Sequence, residues 1–165
     1  MRWPNVVHNL FLQPDGIGTL WIVYRTERAP VALIQTSDIA HNAHASIQKP
    51  LGPRDVATEL TIAGIPAVGQ RYVNVGVVNT GNIPATFRIT ARTPSGKPIG
   101  KPIESGIPEG QLWLTTGIEQ ELGVKIDEST TLRVSAIAGS GVAFASIVDP
   151  ATGDSVFIAA TASQQ

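Results

Sequence analysis

Short stretches in which apolar and polar residues alternate one for one constrain this chain more than any other feature. Val73, Val75 and Val77 share one face of residues 71–79. Ala85, Phe87, Ile89 and Ala91 share a face of residues 85–92, and Thr86, Arg88, Thr90 and Arg92 share the other. Leu132, Val134 and Ala136 alternate with Thr131, Arg133 and Ser135. A period of two sends successive side chains to opposite faces of a strand, so each stretch reads as half buried. Turn formers separate the stretches: Asn79-Thr80-Gly81-Asn82, Thr93-Pro94-Ser95-Gly96, Pro108-Glu109-Gly110, Ala138-Gly139-Ser140-Gly141 and Pro150-Ala151-Thr152-Gly153-Asp154. Turns at this spacing predict an all-β fold, an antiparallel β-sandwich of Ig-like or Greek-key type.

Strands are expected near residues 17–24, 30–37, 44–48, 56–63, 71–79, 84–93, 97–104, 110–115, 130–138, 141–148 and 154–160. One short helix is expected near 116–122, with a matching turn near 5–11. Thr115 or Thr116 can cap the helix, and Gly123 can end it. Sixteen Gly and twelve Pro in 165 residues suit tight turns and work against long helices. Charged residues make up 15% of the chain, well below the roughly 25% of an average soluble domain.

The net charge is −1, with no basic patch or acidic tail, so electrostatics favour neither nucleic acid nor an anionic membrane surface. The chain has no Cys, which excludes a disulfide scaffold, a thiolate zinc site and a cysteine nucleophile. No apolar run approaches the roughly 20 residues that span a bilayer. The start, Met1-Arg2-Trp3-Pro4-Asn5, lacks the apolar stretch of a signal peptide. The expectation is a cytoplasmic protein, or a mature or excised piece of a longer one.

The two ends of the chain echo each other. Trp3 and Trp113 each precede a short segment ending in Leu, at Leu10 and Leu122, and the step from Leu10 to Thr19 equals that from Leu122 to Thr131. Val31-Ala32-Leu33 matches Val142-Ala143-Phe144, and His44-Ala45-Ser46-Ile47 matches Asp154-Ser155-Val156-Phe157-Ile158 at nearly the same offset. A repeat of about 110 residues has the size of one sandwich. The expected organisation is therefore a half repeat over 1–53 and a complete β-sandwich module over 54–165. The half repeat lacks its own first strands and must pack on the complete copy or on a neighbouring chain.

The run Tyr72–Ile89 resembles the opening of Ig-like β-sandwich repeat modules in bacterial secreted and cell-surface proteins. The run Ala143–Ala160 is similar to a module ending of the form Ala-Tyr-Ala-Ser-Val-Ile-Asp-x-x-Thr-Gly-Asp-x-x-Phe-x-x-Ala. The resemblance spans roughly Thr58 to Ala160, with a fainter echo in Trp3 to Leu51. Near Asp38-Ile39-Ala40-His41-Asn42-Ala43 the echo departs from the pattern. The resemblance implies an extracellular or cell-surface setting and a spacer or adhesion role, and it carries over no catalytic residue.

Three constellations merit weighing. Asp149 and Asp154 flank a Pro-Ala-Thr-Gly turn and are the metal candidates of the chain, as two oxygen ligands for calcium. A hairpin turn in which Asp149 binds nearby N–H groups and Gly153 takes a positive φ explains them more simply. His41 and His44, with Asp38, fall short of the ligand set of a structural zinc site and read as a surface loop. Trp3, Trp21 and Trp113 could stack on sugars, but core or lid packing accounts for Trp3 and Trp113.

Leu20, Ile22 and Tyr24 lie on one face of the 17–24 stretch and Trp21 and Val23 on the other. Both faces are apolar, so this strand is expected to be central or covered by a partner. Trp21, Val23, Leu33 and Ile34 are the candidate interaction residues. No Gly-x-Ser-x-Gly, phosphate-binding loop or His-Glu-x-x-His occurs. These readings point to a non-catalytic structural or adhesive module without a cofactor. It is expected to associate with itself, as a homo-oligomer or a head-to-tail filament built by strand complementation, or with another surface protein. A carbohydrate-binding accessory module is the alternative, with a glycan as ligand.

Overall fold

Alternation along the sequence becomes strand structure with the expected faces inward. The computed structural model describes residues 20–23, 34–35, 47–66 and 71–163. Among the described residues eleven strands run in chain order: β1 (Ile34–Gln35), β2 (Ile47–Gln48), β3 (Glu59–Ile62), β4 (Tyr72–Asn79), β5 (Ala85–Arg92), β6 (Pro98–Ile107), β7 (Leu112–Thr115), β8 (Thr131–Ala138), β9 (Gly141–Val148), β10 (Ser155–Ala159) and β11 (Thr161–Ala162). Helix α1 covers Ile118–Leu122, and a single 3₁₀ turn covers Pro53–Asp55. Strand accounts for 51% of the structure and helix for 7%, so the fold is all-β.

Two sheets face each other. The four-stranded sheet has the order β10-β9-β4-β7, and the five-stranded sheet has the order β11-β3-β8-β5-β6. Every pairing is antiparallel. Hairpins β5–β6 and β9–β10 stay within a sheet, and most other connections cross from one sheet to the other. The molecule is an antiparallel β-sandwich with one short helix.

The core lies where the two inner faces meet. Val73, Val75, Val77, Ala143, Ala145 and Ile147 come from the four-stranded sheet, and Leu60, Ile62, Phe87, Ile89, Leu132 and Val134 from the other. Fully burying one such Val, Leu, Ile or Phe side chain stabilises a fold by about 1.5–3 kcal/mol. Helix α1 adds Ile118 and Leu122 to the same core and packs beside β6 and β4.

The expected threonine cap of α1 is not what forms. Gly117 is the N-cap, with φ +76°, and no side chain caps the helix. Thr115 instead donates its hydroxyl to the Glu121 carboxylate across the short helix. The Gly117 N–H is taken up by the Asn74 side-chain oxygen at 3.2 Å. A left-handed N-cap turns the chain out of β7 more sharply than a threonine could, since only glycine takes that conformation freely. Gly123 ends the helix in the left-handed region, as expected.

Of the expected N-terminal strands, 30–37 contains β1 and 44–48 contains β2, which pair with each other at Ile34↔Gln48 and Gln35↔Ile47, and the other residues of 30–37 and 44–46 lie outside the described residues. That pairing mirrors β9 with β10, the segments they echo. Aligning Leu33 on Phe144 places Ile34 on Ala145 and Gln35 on Ser146. Their partners then fall one residue beyond Ile158 and Phe157, the partners of Ala145 and Ser146. One extra residue in the sequence between the paired positions accounts for the difference. The expected strand 17–24 is corrected over Leu20–Val23, which lie outside any strand. Apolar side chains on both faces mark a stretch that needs cover, but only a hydrogen-bonding neighbour makes it a strand. The rest of that stretch and the turn near 5–11 lie outside the described residues.

Candidate functional site

The outer faces of the two sheets differ in kind. Directly opposed residues of an antiparallel pair point to the same side, so the registers assign each face. On the five-stranded sheet the outward residues are Glu59 and Thr61 of β3, Thr131, Arg133 and Ser135 of β8, and Thr86, Arg88, Thr90 and Arg92 of β5. Every one of these is polar or charged, which is how a sheet faces water, and the same registers add Ala138 of β8 and Pro98, Glu104 and Gly106 of β6 to this face. Arg88 pairs with Glu104 at 2.5 Å, and Arg133 with Glu59 at 2.6 Å.

Beside the second pair lies a cleft of about 380 Å³ lined by Glu59, Thr61, Arg92, Thr131, Arg133 and Ser163 among others. Burial raises the Glu59 pKa. Hydrogen bonds from Arg133 and Ser135, with the charges of Arg133 and Arg92, outweigh that and hold the carboxyl below its ordinary value. The charges of this face thus answer one another.

The four-stranded sheet is the opposite case. Its outward residues are Tyr72, Asn74, Gly76 and Val78 of β4; Val142, Phe144, Ser146 and Val148 of β9; Ser155, Phe157 and Ala159 of β10; and Leu112 and Leu114 of β7. None is charged, and Asn74, Ser146 and Ser155 are the polar exceptions. Phe144 and Phe157 stack with ring centroids 4.9 Å apart and planes 24° from parallel. Phe144 lies directly over Gly76, where a Cβ would overlap its ring. That overlap explains why a glycine stands in the middle of a strand, where it otherwise weakens the ladder. Phe144, Phe157, Val148, Leu112 and Leu114 are half buried, and Tyr72 is 55% exposed. The five-stranded sheet and the Ile118 and Leu122 side chains of α1 pack on its inner side, while on the outer side Asn74 meets the Gly117 N–H and Val78 and Val142 are buried. A contiguous apolar outer face of this kind marks a contact surface.

The sequence-stated candidates fall as follows. Trp21 and Val23 are exposed, at 53% and 87%, with Leu20 and Ile22 exposed beside them. Ile34 stands in β1, while Leu33, Asp38, His41 and His44 lie outside the described residues. Asp149 and Asp154 form a tight hairpin turn. The Asp149 N–H donates to the Asp154 carbonyl at 2.9 Å, its side chain accepts from the Ala151 N–H at 2.8 Å, and Gly153 takes φ +75°. Among the described residues, no three His, Cys, Asp or Glu side chains gather to hold a metal ion. Among the described residues, too, no helix is long and apolar enough to cross a membrane.

The sequence reading passes over Phe144, Phe157, Leu112 and Leu114. The signal was there: residues 141–148 are apolar on both parities except at Ser146. That is the two-faced pattern also present near Trp21. The fold and this surface define a class, an antiparallel β-sandwich with one hydrated and one apolar outer sheet. No protein-family model matches the chain, and no curated protein matches it. The chain is similar in structure to the crystal structure of Thermotoga maritima 1070, with a TM-score of 0.50 and 16% identity. The similarity covers 65% of this chain and 95% of the other, and it bears on the fold alone.

Proposed function

We propose that this protein is a non-catalytic structural or adhesive β-sandwich module of Ig-like type, working at the cell surface or in the extracellular space through contact between surfaces. The observation that carries this reading is the charge-free outer face of the four-stranded sheet, set against the charged and largely polar outer face of the other. Burying an apolar face of this kind stabilises association by roughly 25 cal/mol per Å² before the costs of binding. The N-terminal half repeat is the connector in this reading. Its hairpin β1–β2 repeats the pairing of β9 with β10, and in a head-to-tail contact it engages the module of the next molecule. A contact of that type does not close on itself and grows into a filament.

Light scattering on the full chain, beside a chain that starts at Gly52, tests this. Large species are expected from the full chain and are lost on truncation. A full chain that stays monodisperse and monomeric at high concentration contradicts the intermolecular contact.

A second reading rests on Trp21 and Tyr72, both more than half exposed. Exposed aromatic rings are natural platforms for sugars, and the module would then be a carbohydrate-binding accessory. Glycan-array binding that disappears in Trp21→Ala supports this reading, and a silent array removes it.

A further inference from the structure

We propose that the edge strand β10 pairs with β10 of a second copy about a two-fold axis through Phe157, fusing two four-stranded sheets into one. This goes beyond the head-to-tail contact proposed above, because it uses a different surface and closes at two chains.

The backbone decides which groups are free to pair. The Asp149 N–H donates to the Asp154 carbonyl, and the Ala160 N–H donates to the Ala143 carbonyl. Both pairs are in step with the β9–β10 register, and bonding alternates along an antiparallel ladder. Val156 and Ile158 therefore bond to β9. The N–H and C=O groups of Ser155, Phe157 and Ala159 point away from β9, to the edge on which no strand pairs among the described residues.

Two such edges placed antiparallel about Phe157 match. Phe157 meets Phe157 of the second copy, and Ser155 meets Ala159 of the second copy, each pair with outward donors and acceptors facing. Between them, Val156 lies beside Ile158 of the second copy. Val156 faces the sandwich interior, yet stands 51% exposed at the rim, and this pairing covers it.

The other edges are less suited to pairing. Strand β6 carries Pro98, Gly100, Lys101 and Pro102 and has a register shift against β5. Strand β11 is two residues long, and β7 has four residues and runs directly into α1. Proline, charge, bulges and shortness are the devices that keep sheet edges from pairing. Over Ser155–Ala159 the edge strand has no proline, glycine or charge. With no charge on the strand, two copies meet without like-charge repulsion. The pairing also sets Phe157 and Phe144 of both copies side by side on one continuous apolar face.

Sedimentation equilibrium on the full chain, with three variants, tests the pairing and its register. At concentrations below the onset of head-to-tail growth, the wild type is expected at about twice the 17.4 kDa chain mass. S155K/A159K sets Lys opposite Lys in both outer pairs and is expected to return the mass to one chain. S155K/A159E sets each Lys opposite a Glu and is expected to restore the doubled mass. Ala159→Pro removes only an N–H that faces away from β9, so it leaves the chain's own ladder intact and is expected to weaken the dimer. Far-UV circular dichroism confirms that each variant keeps its β-sheet. The proposal is overturned by a monomeric wild type at the highest attainable concentration, or by S155K/A159K and S155K/A159E behaving alike.

Discussion

Asn79 shows how much one side chain can hold. It is fully buried at the end of β4. Its amide donates to the carbonyls of Ile83 at 2.7 Å, Ile107 at 3.0 Å and Pro108 at 3.2 Å, and its oxygen accepts from the Gly81 N–H at 2.9 Å. Asn79→Ala strands several buried backbone groups at once. The expected loss is about 3 kcal/mol, since each unsatisfied group costs roughly 1–3 kcal/mol, and urea unfolding measures it.

Glu59 gives a pH signature. Its folded-state pKa lies below the ordinary 4.5, so its contribution is present above that value and fades as pH falls below it. The Arg133 partner is 40% exposed, so the effect is expected to stay under about 1 kcal/mol. Glu59→Gln should be less stable than the wild type at pH 7, and the gap should close in acid below the carboxylate range. A gap that persists unchanged at low pH contradicts this origin. Sequence alone marks Asn79 as a turn residue and Arg133 as outward-facing. It does not show that Asn79 bridges to Pro108, because that contact joins segments far apart in the chain.

At the scale of elements, period-two alternation placed β5 and β8 well, because each has one wet and one dry side, and it placed β4 by its Val73, Val75 and Val77 face. Helix α1 was legible as a short segment ending at Gly123. Its cap was not, because Gly117 and the distant Asn74 supply what a local threonine was expected to provide. The outward aromatic pair was hidden for a related reason. Strand β9 is apolar on both faces, and nothing local says which side meets the other sheet. The glycine of β4 ties the two elements together. Gly76→Ala is expected to push Phe144 off the sheet and break its stack with Phe157, at a cost of about 1–3 kcal/mol from overpacking. In a Phe144→Ala background the same substitution should cost markedly less, and a double-mutant cycle by urea unfolding reads the difference. Equal costs in the two backgrounds would show that the ring is not the obstacle.

For the molecule as a whole, residues 57–162 supply the two packed sheets, and residues before them supply a hairpin that repeats one of their pairings. The spacing of Val31–Leu33 and His44–Ile47 points to segments near 34 and 47 that pair with each other, and β1 and β2 do so. The asymmetry between the outer faces was not readable from spacing, because it exists only once strands far apart in sequence lie side by side. That asymmetry points to contact through the apolar sheet, and hydroxyl-radical footprinting of the full chain across a concentration series reads that contact residue by residue. Expected is rising protection of Tyr72, Leu112, Leu114, Phe144 and Phe157 as concentration increases, with residues on the other sheet such as Ile103 labelled equally throughout. Unchanged labelling of the five apolar-face residues at every concentration, or protection confined to the five-stranded sheet, contradicts it.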